Sequence, residues 1–150
     1  MQKLIRRYVL KPLGVFVIIF CLPAIAELPK ETITKAEAGD AQAQYEVGFY
    51  YYKDEKARDL TLAKSWLEKS AKQKYAPALS ELGFLITASG EENSIAQGFA
   101  ILEVAAEMGN AKAQNYLGMI HGMRGEHAEA VPLFEKAAKQ EYTESMVYLA

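Results

Sequence analysis

The chain has 150 residues, 51% of them hydrophobic and 24% charged, with 17 basic and 19 acidic side chains and one cysteine. That length fits a single domain. The near-neutral charge argues against a polybasic nucleic-acid binder, and one cysteine rules out an internal disulfide framework.

Residues 1–26 read as a secretory signal peptide. Lys3, Arg6, Arg7 and Lys11 give a positive start without an acid, Leu13–Leu22 is an apolar run of ten, and Ala24-Ile25-Ala26 supplies small residues for cleavage. The expected cut lies between Ala26 and Glu27. The apolar run is shorter than the ~20 residues of a membrane-spanning helix, so no membrane insertion is expected after cleavage. Bulky Phe20 before Cys21 argues against lipoprotein processing. Taking the four basic residues of this segment from 17 leaves 13 against 19 acidic, a net of −6, and no cysteine. Nucleic acid and anionic membrane surfaces are poor partners for such a chain. Residues 27–32 (ELPKET) read as a short polar lead-in to a repeat domain over 33–150.

That domain repeats itself. Ala41–Gly48 (AQAQYEVG), Ala76–Gly83 (APALSELG) and Ala111–Gly118 (AKAQNYLG) recur at a step of 35 residues. A second motif recurs behind each, starting at Trp66, Ile101 and Leu133, with the last step shortened to 32. A fourth unit begins at Thr143–Ala150, giving about three and a half units. Both segments carry helical spacing: Ala41, Tyr45, Gly48 and Tyr52 in the first, Ala63, Trp66, Leu67, Ser70 and Ala71 in the second. A period in this range predicts stacked helical hairpins, each able to bury only one side of itself. A mid-helix glycine costs about 1 kcal/mol against alanine, so its recurrence at Gly48, Gly83 and Gly118 predicts close helix packing. Small residues at Ala41, Ala71, Ala76, Ala106, Ala111 and Ala138 belong to the same pattern. Gly39-Asp40 and Gly109-Asn110 read as a helix C-terminus followed by the next N-cap.

The unit A-x-A-Q-Y-x-x-G followed by A-x-x-W-x-x-x-[AS]-A resembles the Sel1-like repeat, a relative of the tetratricopeptide repeat. The resemblance covers roughly 33–150, although the connectors 53–60 (KDEKARDL) and 88–95 (ASGEENSI) lack the family's G-x-G-V. It implies an all-α, right-handed superhelical solenoid of antiparallel helix hairpins, whose first helices line a concave groove that binds a protein or peptide.

In that groove, position 9 of each unit gives Phe49, Phe84 and Met119. Neighbouring positions add Tyr45, Tyr52 and Met123. Aromatics and methionine are typical interface anchors, so this stripe is the candidate partner site. A core role for Phe49 and Phe84 is the alternative. Phe49-Tyr50-Tyr51-Tyr52 point four ways round a helix, so Tyr51 is expected to pack and Tyr50 or Tyr52 to face a partner.

Chemistry is hard to find. His121 occupies the position of Tyr51 and Ile86, a packing site, and His127 falls in a shortened connector expected to be solvated. Their spacing suits no metal site. Asp54, Glu55, Glu91, Glu92, Glu126 and Glu129 read as solvated acids rather than a catalytic pair. No enzyme activity and no cofactor are expected. The reading is an exported, periplasmic or secreted adaptor. An alternative is a periplasmic immunity protein that neutralises an antibacterial effector; an envelope hydrolase lacks a catalytic constellation. Three readings are open for Thr143–Ala150, with its Met146, Val147, Tyr148 and Leu149: a half-unit cap, an exposed interface, or a truncated frame.

Overall fold

The computed structural model describes residues 28–90 and 92–140. Within them lie α1 (Lys30–Glu37), α2 (Ala41–Lys53), α3 (Leu60–Lys72), α4 (Ala76–Thr87), α5 (Glu92–Glu107), α6 (Ala111–Met123) and α7 (His127–Ala138), and no strand. The expected cleavage site Ala26–Glu27 and the terminal stretch Thr143–Ala150 lie outside the described residues.

The pairs α2–α3, α4–α5 and α6–α7 pack as hairpins. First helices of successive hairpins also touch, α2 on α4 and α4 on α6, forming one inner layer. The result is an all-α solenoid. The stretch read as a lead-in is partly helical, because α1 starts at Lys30. α1 takes the place of a second helix of a preceding unit: Ala36, Ala71 and Ala106 fall 35 residues apart. Ala36 is buried against α2.

The core repeats with the sequence. Ala43, Ala78 and Ala113 are buried, as are Val47, Leu82 and Leu117 from the inner helices. From the outer helices come Leu67, Leu102 and Phe134, with Ser70, Ala105 and Ala137 behind them. Of the two adjacent large positions on the expected face of each second helix, the later one is the buried one. Trp66, Ile101 and Leu133 are only half-buried, and Lys69 lies over the Trp66 ring at 3.8 Å.

The three recurring glycines are all contact points. A Cβ on Gly48 would lie 2.9 Å from Leu67 Cγ and 3.2 Å from the Ala63 carbonyl oxygen. One on Gly83 would lie 2.9 Å from the Gly98 carbonyl oxygen. At Gly118 the neighbour is a side chain rather than backbone: the Phe134 ring comes within 2.7 Å of that position. Phe134 stands where the earlier units have leucine, and the missing Cβ makes room for it. Gly98 is tighter still, with Thr87 Oγ1 at 2.3 Å and the Gly83 carbonyl oxygen at 2.6 Å from its would-be Cβ.

Helix ends follow the expected capping at two of three junctions. Asp40 Oδ1 accepts from the Ala43 N–H at 2.7 Å, and Asn110 Oδ1 from the Ala113 N–H at 2.9 Å. Gly39 and Gly109 precede them at positive φ. The middle junction has Lys74 in that left-handed conformation (φ 59°), followed by Tyr75 with no side-chain cap. There Pro77, in the first turn of α4, removes a donor that would otherwise need a partner.

A polar clamp joins the units. Gln44, buried, donates to the Ala36 carbonyl at 3.1 Å, and Gln114 donates to the Ala106 carbonyl at 3.2 Å. Gln73 and Gln140 then donate to Gln44 and Gln114 at 2.9 and 3.0 Å. In the middle unit both positions are apolar, Leu79 and Met108. Both members change together, which leaves no buried amide half-satisfied.

Two glycine substitutions on neighbouring hairpins are expected to have opposite signs. Gly98→Ala overpacks the α4–α5 contact and should lower stability by about 1–3 kcal/mol. Gly122, in α6, has nothing within 4 Å of its would-be Cβ, so Gly122→Ala should raise stability by about 0.5–1 kcal/mol. Thermal and urea melts of the two variants check this.

Candidate functional site

The inner layer gathers two aromatic groups. On α2, Tyr45 stacks on Phe49 with centroids 5.6 Å apart, and Phe49 lies 6.5 Å from Tyr52. On α4 and α6, Phe84 stacks on Tyr116 at 4.3 Å with the planes 17° apart. Lys112 joins the two groups. Its ammonium lies 5.4 Å from the Phe49 centroid and 5.7 Å from that of Tyr116. A side chain of α6 thus meets one of α2 across α4. The inner face must curve inward for that to happen, which makes it the concave side.

Beneath Lys112 lies Glu81 of α4, with a side chain 0% exposed. Lys112 Nζ donates to Glu81 Oε1. The other oxygen, Oε2, is buried and makes no hydrogen bond. Glu81 falls in the same repeat position as Glu46 and Tyr116, so the middle unit alone puts a buried acid there.

The expected stripe residues fall in different surroundings. Tyr45, Phe49 and Tyr50 are half-buried and, with Leu28, line a shallow cleft of about 420 Å³ on α2. Tyr52 is half-buried and faces another cleft, about 600 Å³, where the first two hairpins meet; Arg58, Leu60, Lys64 and Ile86 also line it. Phe84 and Met119 are half-buried against the core of the second and third hairpins. Met123 is 78% exposed at the end of α6. Tyr51 is buried, in the packing role expected of it. Position 9 therefore does not form one continuous exposed stripe. Phe84 stacks on Tyr116, itself buried in the core, and Met119 packs against the same core. Tyr116, Lys112 and Glu81 are members of the face that equivalence of positions does not reveal. Glu81 and Tyr116 stand three places before position 9 of their units and Lys112 seven, so only the first two share a register that could have been followed.

The surroundings alter tyrosine ionisation. Burial, then the negative charge of Glu81, pushes the Tyr45 phenol up to about 12. Burial and the same carboxylate raise Tyr52. Burial, with Asp59 behind it, raises Tyr51.

His121 packs edge-on against Phe99 at 5.4 Å, and its Nδ1 lies 2.6 Å from Glu126 Oε2. Glu126 is thus half-buried and partnered rather than a solvated acid. Asp54 likewise accepts from the Lys56 and Ala57 N–H groups at 2.9 and 2.8 Å. His127 is exposed as expected, but it opens α7 instead of lying in a loop. Among the described residues no group of His, Cys, Asp and Glu could hold a metal ion, and no helix is long and apolar enough to cross a membrane.

Solved structures share this fold, and two of them show the relation. One is a protective antigen present in uropathogenic Escherichia coli strains and displaying an SLR fold; it is 35% identical over 74% of this chain and 25% of its own, with a TM-score of 0.62. The other is a Sel1 repeat protein from Oxalobacter formigenes, 24% identical over 80% of this chain and 50% of its own, with a TM-score of 0.66. The chain therefore spans a quarter and a half of the lengths of these proteins. No family model and no curated protein matches the sequence. The chain is a Sel1-like repeat protein.

A folded-state phenol value above the ordinary ~10 means that the fold favours neutral Tyr45. That contribution is present at lower pH and is lost as pH rises from about 10 to about 12. An ultraviolet tyrosinate titration of the folded chain should show a late-titrating tyrosine that disappears in Tyr45→Phe; unchanged titration curves would refute the assigned environment.

Proposed function

We propose that this chain is an exported adaptor that holds a protein or peptide partner against the concave face of α2, α4 and α6. One observation carries the reading: Tyr45, Phe49 and Tyr50 line an open apolar cleft on the first inner helix, with a second aromatic group on α4 and α6. Half-buried aromatics on rigid helices make good anchors, since their area is large and little side-chain entropy remains to be lost on binding. The Sel1-like repeat architecture supports protein partners as the class of ligand. Export rests on the basic start, the apolar run and the small residues at 24–26.

Phe49→Ala tests the face. Purified chain should retain a specific envelope or secreted protein in affinity capture, and the variant should bind it at least about tenfold more weakly while its helical circular dichroism is unchanged. Equal affinity of both proteins would place binding elsewhere. Export is checked separately by intact mass: chain recovered from the periplasm should begin at Glu27, and a mass that includes residues 1–26 contradicts cleavage.

A further inference from the structure

The concave face contains a box whose present occupant does not complete it. Its floor is the carboxylate of Glu81, fully buried in α4. One wall is Phe49, backed by Tyr45 at 5.6 Å. The other is Tyr116, backed by Phe84 at 4.3 Å. Lys112 puts its ammonium between the walls and satisfies Oε1, while Oε2 stays buried without a hydrogen bond.

We propose that this box is a binding site for an arginine side chain of a partner peptide, with Lys112 as an internal stand-in that the peptide displaces. The proposal deepens the adaptor reading and rests on it. A guanidinium is planar and carries paired donors that meet both oxygens of one carboxylate, which a single ammonium here does not. Its flat face also stacks on aromatic rings, and a cation within about 6 Å of a ring centroid is attracted to it. An acidic side chain would meet the Glu81 charge, and a neutral one would leave a buried carboxylate unpaired. Lys112 is 25% exposed at the mouth of the box, on a flexible stem that can swing into water. The acidic excess of the chain beyond residue 26, 13 basic against 19 acidic, favours the approach of a basic peptide.

The test is an NMR titration of the full mature chain with N-acetyl-arginine amide and with its uncharged isostere, N-acetyl-citrulline amide. The arginine compound should shift the signals of Glu81, Lys112 and Tyr116; the citrulline compound should not. Lys112→Met, which removes the competing ammonium, should bind arginine amide about tenfold more tightly than the parent, as loss of a competing cation predicts. Glu81→Gln should lose the response. If Lys112→Met does not fold, the parent titration decides alone. Equal shifts from arginine and citrulline, or an undiminished response in Glu81→Gln, overturns the site and assigns the second oxygen to water. Such a result leaves the adaptor reading standing, since partner capture and its loss in Phe49→Ala are measured without either compound.

Discussion

Two helices can approach closely only where one of them lacks a side chain, and this chain spends a glycine on that in every unit. Gly48, Gly83 and Gly118 each face the large core residue of the paired helix, Leu67, Leu102 or Phe134. The contact fixes how the two helices of a hairpin cross, and the 35-residue period copies that crossing into the next unit. Once each crossing is set, α2, α4 and α6 fall into one layer and their outward faces form one surface. Everything proposed about binding depends on that layer. The glycines weaken each helix in isolation, by about 1 kcal/mol apiece, so the hairpins are held by packing rather than by helix propensity.

The same geometry explains why the concave face carries a buried acid. Curvature brings Lys112 of α6 towards Phe49 of α2 and closes the surface over Glu81 of α4. Taking a carboxylate out of water costs several kcal/mol unless a counter-charge accompanies it. Lys112 supplies the charge but leaves one oxygen unbonded. Among the described residues the other buried polar side chains are tied down, as in the Gln44–Gln73 and Gln114–Gln140 clamps, and the shortfall lies at the face where a partner is proposed to sit. Natural structures tend to break their own packing rules at functional sites.

Sequence reading recovered the helices, the hairpins and the recurring glycines, because helical periodicity and fixed spacing are properties of the chain itself. It put both Trp66 and Leu67 on the packed face of the second helix, and only Leu67 is fully buried, because burial is set by which side faces the glycine. It missed that Lys30–Glu37 is the second helix of a preceding unit, since α1 keeps only Ala36 from the repeat's pattern. The binding face was legible in part. Equivalence of positions led to Phe49, Phe84 and Met119, but whether a residue at position 9 meets solvent depends on how sharply the stack bends. That bend is a tertiary property, and it stacks Phe84 on the buried Tyr116 while drawing Lys112 and Glu81 into the face.

The central claim is that a partner lies on the inner layer and not on the outer helices. Hydrogen–deuterium exchange of the full mature chain, with and without a captured partner, tests it most directly. The account predicts added protection in peptides from α2, α4 and α6, centred on Tyr45–Phe49 and Lys112–Tyr116, with α3, α5 and α7 unchanged. Protection confined to the outer helices, or to the Tyr52 cleft between the first two hairpins, would contradict it.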